Sequence, residues 1–143
     1  KFLLPKYFYI QVPYSKFTSL LLHHHNYFHR MNIEQVRDYA LSLPDVEEGC
    51  PFGPSVVVFK TNSKIFLLLP LDEADVRFNV KCDPEKAIQQ RLEYPDCILP
   101  GYHMNKKHWN TVIVDGRLNN QRLKELISDS YQLLAPKKKK SIH

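Results

Sequence analysis

The sequence predicts an α+β domain in which an antiparallel sheet is packed on one side by helices. Two apolar runs flank a short polar turn at 61–63, which is the composition of a β-hairpin. Residues 76–82 alternate strictly between apolar and polar, as a strand with one buried face does. Three other stretches place apolar residues three and four apart, as amphipathic helices do. Strands clustered between helices with short connections favour this class.

The distribution of charge argues against a uniformly basic domain. The 143 residues suit one domain and carry a net charge of +5. Residues 1–30 hold four basic residues and no acid, and 137–140 are four lysines. Removing these eight from the 20 basic residues leaves 12 against 15 acids, so residues 31–136 carry −3. Nucleic-acid binding would therefore depend on a local patch or on the tail.

The cysteines and the apolar runs indicate the compartment. Cys50, Cys82 and Cys97 form no CxxC pair, which favours reduced thiols, buried as small hydrophobic residues, over a disulfide framework. No secretory signal and no membrane-spanning run is apparent. We therefore expect a cytoplasmic protein that does not contact a membrane.

Residues 1–30 differ from the rest of the chain. They mix aromatic residues with Leu20-Leu21-Leu22 and His23-His24-His25, without a helical or strand period. We hypothesise that Met31 is the natural start and that 1–30 is a non-native or poorly ordered extension. The alternative is an arm that packs on the domain, since its aromatic side chains would gain from burial. Residues 31–136 are assigned to one domain and 137–143 to a basic tail.

The first predicted helix covers 32–43. Asn32 can cap its N-terminus, and Gln35 stands three residues later, which is the spacing of a capping box. Pro44 ends it, because a proline disfavours helical backbone in the preceding residue. Its apolar stripe consists of Ile33, Val36, Tyr39, Ala40 and Leu43. An acidic loop follows over 45–53, in which we expect Phe52 to be a buried anchor.

The strands come next. Residues 55–60 and 64–69 form the predicted hairpin, and a third strand covers 76–82. We expect the apolar residues of this third strand to face the helices, and its other face to be uncovered, polar and basic. The two sets are Val76, Phe78, Val80 and Cys82, and Arg77, Asn79 and Lys81.

Two more helices complete the fold. Asp83-Pro84-Glu85 is a strong start signal, with Asp83 as the cap and Pro84 in the first position. This helix is predicted to run to about Leu92 with Ala87, Ile88 and Leu92 inward. A short apolar segment, 97–99, and a strand, 109–114, follow. Asn119 caps the last helix, whose predicted inward residues are Leu123, Leu126, Ile127 and either Tyr131 or Leu134.

Residues 101–111 concentrate the groups that could bind a ligand. They hold the only tryptophan, two histidines, two adjacent lysines and two asparagines. His103 and His108 lie five apart and do not share a helix face, so we expect no metal site. Trp109 is interpreted as a packing anchor rather than a base-stacking platform, and Lys106-Lys107 as either a solvated turn or a ligand contact. Because no GxSxG, Walker, HExxH or GxGxxG motif is present, we expect no catalytic residues and no cofactor.

Several segments together resemble the MmcQ/YjbR family of small bacterial proteins over about residues 31–140. They are Pro51-Phe52-Gly53, Phe59-Lys60, the run 79–84, the run 100–112 and Ser130-Tyr131. The resemblance implies a CyaY-like α+β fold and a DNA-binding role through two hairpin loops acting as wings. The first loop, between Lys60 and Lys64, suits phosphate, whereas the second carries Asp72, Glu73 and Asp75 and would repel it.

Our first hypothesis is a monomeric, non-catalytic module that binds DNA or another polyanion through a local basic patch. The second is a protein-interaction or small-anion-binding domain that uses the same face, and the third is an enzyme. The candidate binding residues are Lys60, Lys64, Arg77, Asn79, Lys81, His103, Asn105, Lys106, Lys107, His108 and Trp109, with the tail lysines as an addition.

Overall fold

A six-stranded antiparallel sheet, in the order β1-β2-β3-β4-β6-β5, organises residues 30–137, the part of the chain that this computed structural model describes. The predictions for 1–29 and 138–143 fall outside that range. The elements are α1 (Ile33–Ser42), β1 (Glu47–Gly49), β2 (Val56–Thr61), β3 (Lys64–Pro70), β4 (Arg77–Lys81), α2 (Pro84–Glu93), β5 (Ile98–Pro100), β6 (Trp109–Ile113) and α3 (Asn120–Leu134). The predicted α+β class is confirmed.

Each helix begins where its capping residue predicts. The Asn32 side chain accepts a hydrogen bond from the Gln35 amide at 2.8 Å, and the Gln35 side chain accepts one from the Asn32 amide. Asp83 accepts from the two backbone amides that follow Pro84. Asn119 likewise caps α3. Such caps contribute about 1 kcal/mol each, so the helix starts are set locally.

The β2–β3 hairpin contains an irregularity that shapes the end of the sheet. Phe59 pairs with Leu67, but Lys60 pairs with Ile65, so Phe66 is an extra residue in β3. The buried Ser130 of α3 bridges the gap: its hydroxyl donates to the Phe66 carbonyl at 2.6 Å and accepts from the Lys81 amide at 2.8 Å. The end of β4 is therefore tied to β3 through a side chain.

The helices cover one face of the sheet. Val36 and Ala40 of α1 and Leu123, Leu126, Ile127 and Tyr131 of α3 pack on Phe59, Phe66, Phe78, Val80 and Val112. Burying one such large side chain stabilises the fold by about 1.5–3 kcal/mol. In α2 the contact is partly polar, because the buried Asn110 of β6 donates to the Gln90 side chain at 3.1 Å.

This polar contact explains one wrong prediction. Ile88 and Leu92 do not point inward: they are 57% and 76% exposed. Instead α2 buries Ala87 and Gln90. The apolar spacing of α2 suggested one inward face, but the surface beneath it includes an amide, so a glutamine takes the inward position.

Other predictions near the sheet edges also fail. Phe52 is 66% exposed rather than a buried anchor. The acidic loop at 45–53 contains the edge strand β1, in which Glu47 pairs with Lys60. Burial raises the pKa of the Cys82 and Cys97 thiols, in agreement with their interpretation as buried residues, but Cys50 is exposed.

Candidate functional site

The face of the sheet that points away from the helices has an apolar centre. Val58, Leu68 and Trp109 form a second buried cluster there, with Met104 and Ile65 packed against it. The polar and basic surface predicted for β4 therefore does not extend across the neighbouring strands. The cations lie at the margin of this face, where β2 and β4 end.

Asn79 lies on this face, but the prediction that it is exposed is wrong, since it is only 8% exposed. Its side-chain oxygen accepts a hydrogen bond from the Thr111 hydroxyl at 2.5 Å, directly across the β4–β6 pair. The same hydroxyl accepts from the Tyr102 amide at 2.9 Å. Asn79 thus helps to hold the 101–108 loop, while its own nitrogen Nδ2 makes no hydrogen bond within residues 30–137.

The 101–108 loop folds back onto β6, which explains these burials. The Gly101 amide donates to the Trp109 carbonyl at 2.9 Å. A Cβ at position 101 would stand 2.7 Å from the Cβ of Trp109, so glycine permits this close approach. Met104 then covers the Trp109 side chain. Trp109 is only 9% exposed, which confirms its interpretation as an anchor.

The second half of the loop is fixed from the other side. The Arg91 guanidinium donates to the Lys106 carbonyl at 2.8 Å, and the Cys82 amide donates to the His108 carbonyl at 2.7 Å. The Asn105 side chain accepts from the Lys107 amide at 3.0 Å. The side chains of Lys106 and Lys107 remain exposed on a backbone that is held at several points.

Five lysines gather at one end of the sheet, and we call them the lysine edge. Lys64 starts β3 beside the end of β2, and Lys81 ends β4 opposite Trp109, with its Nζ 5.9 Å from the ring centroid. Within residues 30–137 none of the five takes part in an ion pair. The set is Lys60, Lys64, Lys81, Lys106 and Lys107.

The C-terminus of α3 reaches the same end. The Asn62 side chain, in the β2–β3 turn, donates to the Leu134 carbonyl at 3.4 Å. The exposed Lys137 follows three residues later. The remaining tail lysines lie outside the described residues.

Carboxylates collect at the opposite end of the sheet, which we call the acidic end: Asp72, Glu73, Asp75, Asp96 and Asp115. Arg77 lies 3.9 Å from Glu73 and 3.7 Å from Asp75. The expectation that Arg77 and Lys81 share one patch is wrong, because they stand at opposite ends of β4, about 13 Å apart along a strand. Arg117 is paired in the same way with Asp96 and Asp115.

The two histidines of the loop take different positions. His103 is exposed with φ +54°, and its ring centroid lies 4.0 Å from that of Tyr102. His108 is half-buried beside the anchor. In the part of the chain from 30 to 137, no group of three or more His, Cys, Asp or Glu side chains is placed to hold a metal. No helix in that range is long and apolar enough to span a bilayer.

Three positioning residues were missed from the sequence. Thr111 carried a signal, since it lies two residues from Trp109 in a strand and so faces the same side. Ser130 was noted only as part of the family resemblance, and Arg91 not at all. No local pattern indicates the role of either, because each acts through contacts with residues distant along the chain, at separations of 15 and 49 residues or more.

The fold and this face define a small α+β domain in which helices cover one face of the sheet and the 101–108 loop folds over the other. The model of the YjbR family matches residues 41–133, and the chain belongs to that family.

Relatives and solved structures agree with this assignment. The chain is 43% identical to YbdF of Escherichia coli O157:H7 over 101 residues, which cover 71% of this chain and 82% of YbdF. It is 28% identical to YjbR of E. coli K12 over 115 residues, 78% of this chain and 97% of YjbR. The crystal structure of Deinococcus radiodurans protein DR2400 superposes with a TM-score of 0.71 at 34% identity, covering 79% of this chain and 85% of DR2400. YbdF and YjbR are both described as uncharacterised proteins.

Proposed function

We propose that the lysine edge binds a polyanion, and that the polyanion is a nucleic acid. The observation that carries the proposal is the distribution of charge along one sheet. Five lysines without ion pairs stand at one end, where Glu47 is the cross-strand neighbour of Lys60, and the five carboxylates of the acidic end stand at the other. A lysine without a carboxylate partner can neutralise a phosphate and release its counterion, which is the main source of nonspecific affinity. The acidic end would repel the same ligand and so orient it.

The backbone that carries these lysines is held at several points. The Lys81 amide is bonded to Ser130, and the Lys106 carbonyl is bonded to Arg91. The turn between Lys60 and Lys64 is held by Asn62 against α3. Fixed charges lose less entropy on binding than charges on a mobile loop. Five phosphate contacts would give a slope of log affinity against log salt of about −3.5 for a single strand and about −4.5 for a duplex.

A small anion is the second candidate ligand. Lys81 and Asn79 are alternate residues of β4 and so point to the same face. Nδ2 of Asn79 makes no hydrogen bond within residues 30–137, although the residue as a whole is only 8% exposed. An amide donor next to an ammonium group suits a single carboxylate or phosphate, and this ligand would need only two contacts.

Salt-dependent fluorescence anisotropy with a labelled oligonucleotide tests the first proposal. Lys81→Ala with Lys106→Ala is compared with Arg122→Ala with Lys124→Ala, which removes the same charge from α3 away from the edge. We expect the first pair to lower affinity and flatten the salt slope by about 1.4–1.8, and the control pair to change little.

Three outcomes would overturn the proposal. The first is that the wild-type chain binds no oligonucleotide between about 50 and 200 mM salt. The second is that both pairs weaken binding equally. The third is that deletion of residues 138–143 alone abolishes binding, which would assign the affinity to the tail. Binding of inorganic phosphate without oligonucleotide binding would support the small anion instead.

A further inference from the structure

The two loops that would act as wings on a duplex are poorly suited to that role. The β2–β3 turn has only Asn62 and Ser63 at its tip, with φ of 51° and 62°, which is the geometry of a tight two-residue hairpin. Asn62 is also bonded to the end of α3, so this tip does not project freely. The loop before Arg77 carries three carboxylates and meets Arg77 at the acidic end. Neither loop is therefore both protruding and basic, as a wing that enters a groove of duplex DNA must be.

The 101–108 loop offers a different kind of contact. The Tyr102 side chain is 64% exposed, although its backbone amide is fixed by Thr111. The next residue, His103, adopts a left-handed backbone that is unfavourable for most residues. Its ring lies 4.0 Å from the Tyr102 ring, tilted by 54°. An exposed aromatic ring on a fixed backbone is a surface on which a nucleic-acid base can stack at low entropic cost.

The stacking ring and the cations belong to the same loop. Lys106 and Lys107 follow Tyr102 by four and five residues, and their backbone is held by Arg91 and Asn105. Backbone phosphates can therefore meet the lysines while a base meets the ring. This combination is typical of sites for single strands, because in a duplex the bases are stacked on each other and hidden from a side chain.

We propose that the lysine edge takes an extended single strand, with one base stacked on Tyr102. This inference rests on the proposed function and adds the class of nucleic acid. It differs from the double-wing interpretation because it uses the lysine edge and the 101–108 loop in place of two protruding hairpins.

The test compares one short oligonucleotide as a single strand and as a duplex, by anisotropy at a fixed salt concentration. We expect the wild-type chain to prefer the single strand, and Tyr102→Ala to lower single-strand affinity by about fivefold or more while leaving duplex affinity unchanged. Tyr102→Phe keeps the ring and should bind as the wild type does. Because the side chain is exposed, the melting temperature of Tyr102→Ala should stay close to that of the wild type.

The outcomes separate the two proposals. Equal affinity for single strand and duplex, with no effect of Tyr102→Ala on either, would overturn the single-strand inference and leave polyanion binding intact. Failure of the wild-type chain to bind either form would overturn both. Loss of binding by Tyr102→Phe as well would assign the effect to the hydroxyl and overturn the stacking role.

Discussion

The two ends of the sheet differ in whether their cationic side chains form ion pairs. At the acidic end, Arg77 and Arg117 each lie within 4 Å of two carboxylates. At the lysine edge none of the five cations lies within 4 Å of a carboxylate oxygen of the described residues, although Glu47 stands across from Lys60. Arginine suits paired sites because its planar group reaches two acceptors, whereas lysine is a hydrated point charge. Exposed ion pairs contribute only about 0–1 kcal/mol, so this contrast says more about binding than about stability.

The largest expected effect comes from removing the support beneath the lysine edge. Ser130→Ala deletes the hydroxyl that joins the buried Phe66 carbonyl to the part-buried Lys81 amide, so both backbone groups lose this hydrogen bond. We expect a loss of about 2–3 kcal/mol in the free energy of unfolding, measured by urea denaturation.

Ser128→Ala is the matched control on the same helix. Its hydroxyl bonds only to the Tyr39 hydroxyl at a half-buried site, so the loss should be about 1 kcal/mol or less. Equal losses for the two variants would show that the bridge at the bulge has no special role.

A smaller effect is expected from Thr111→Val, which keeps the side-chain shape. It removes the donor to Asn79 and the acceptor of the Tyr102 amide. We expect a loss of about 1–2 kcal/mol and faster hydrogen exchange of the Tyr102 amide. Thr111→Ser retains the hydroxyl and should keep the exchange slow; fast exchange there would show that the hydroxyl does not hold the loop.

The smallest expected effect lies at the acidic end. Glu73→Gln with Asp75→Asn releases Arg77 from its ion pairs, and the free energy of unfolding should change by no more than about 1 kcal/mol. Oligonucleotide affinity should rise slightly at low salt, since two repulsive charges are gone. A change as large as that of the lysine variants would remove the distinction between the two ends.

Local signals in the sequence predicted most of the fold. Asn32, Asp83 and Asn119 mark helix starts, and strict alternation marks β4, because capping and pleating depend on near neighbours along the chain. Lys60, Lys64, Lys81, Lys106 and Lys107 were all candidates before their positions were known. The strand register explains why these lysines lie at one end of the sheet. In an antiparallel pair the end of one strand lies beside the start of the next, so Lys60 lies near Lys64, and Lys81 lies beside Trp109, which directly follows the loop that carries Lys106 and Lys107.

The features that the sequence did not predict depend on contacts between residues that are distant along the chain. Asn79 is covered because a loop that starts at Gly101 folds back over the sheet. The residues next to Asn79 in the sequence do not indicate that this loop will cover it. Ile88 is exposed because α2 packs on the amide of Asn110. Arg77 was the exception, since both of its partners, Glu73 and Asp75, lie in the short loop directly before it.

Amide chemical shifts recorded while a short single-stranded oligonucleotide is added to the ¹⁵N-labelled chain test the central claim most directly. The account predicts that the largest shifts fall on Lys64, Lys81 and residues 102–108, and that they shrink as salt is raised. Shifts concentrated at residues 72–77, on α1, or in the tail beyond residue 137 alone would contradict it.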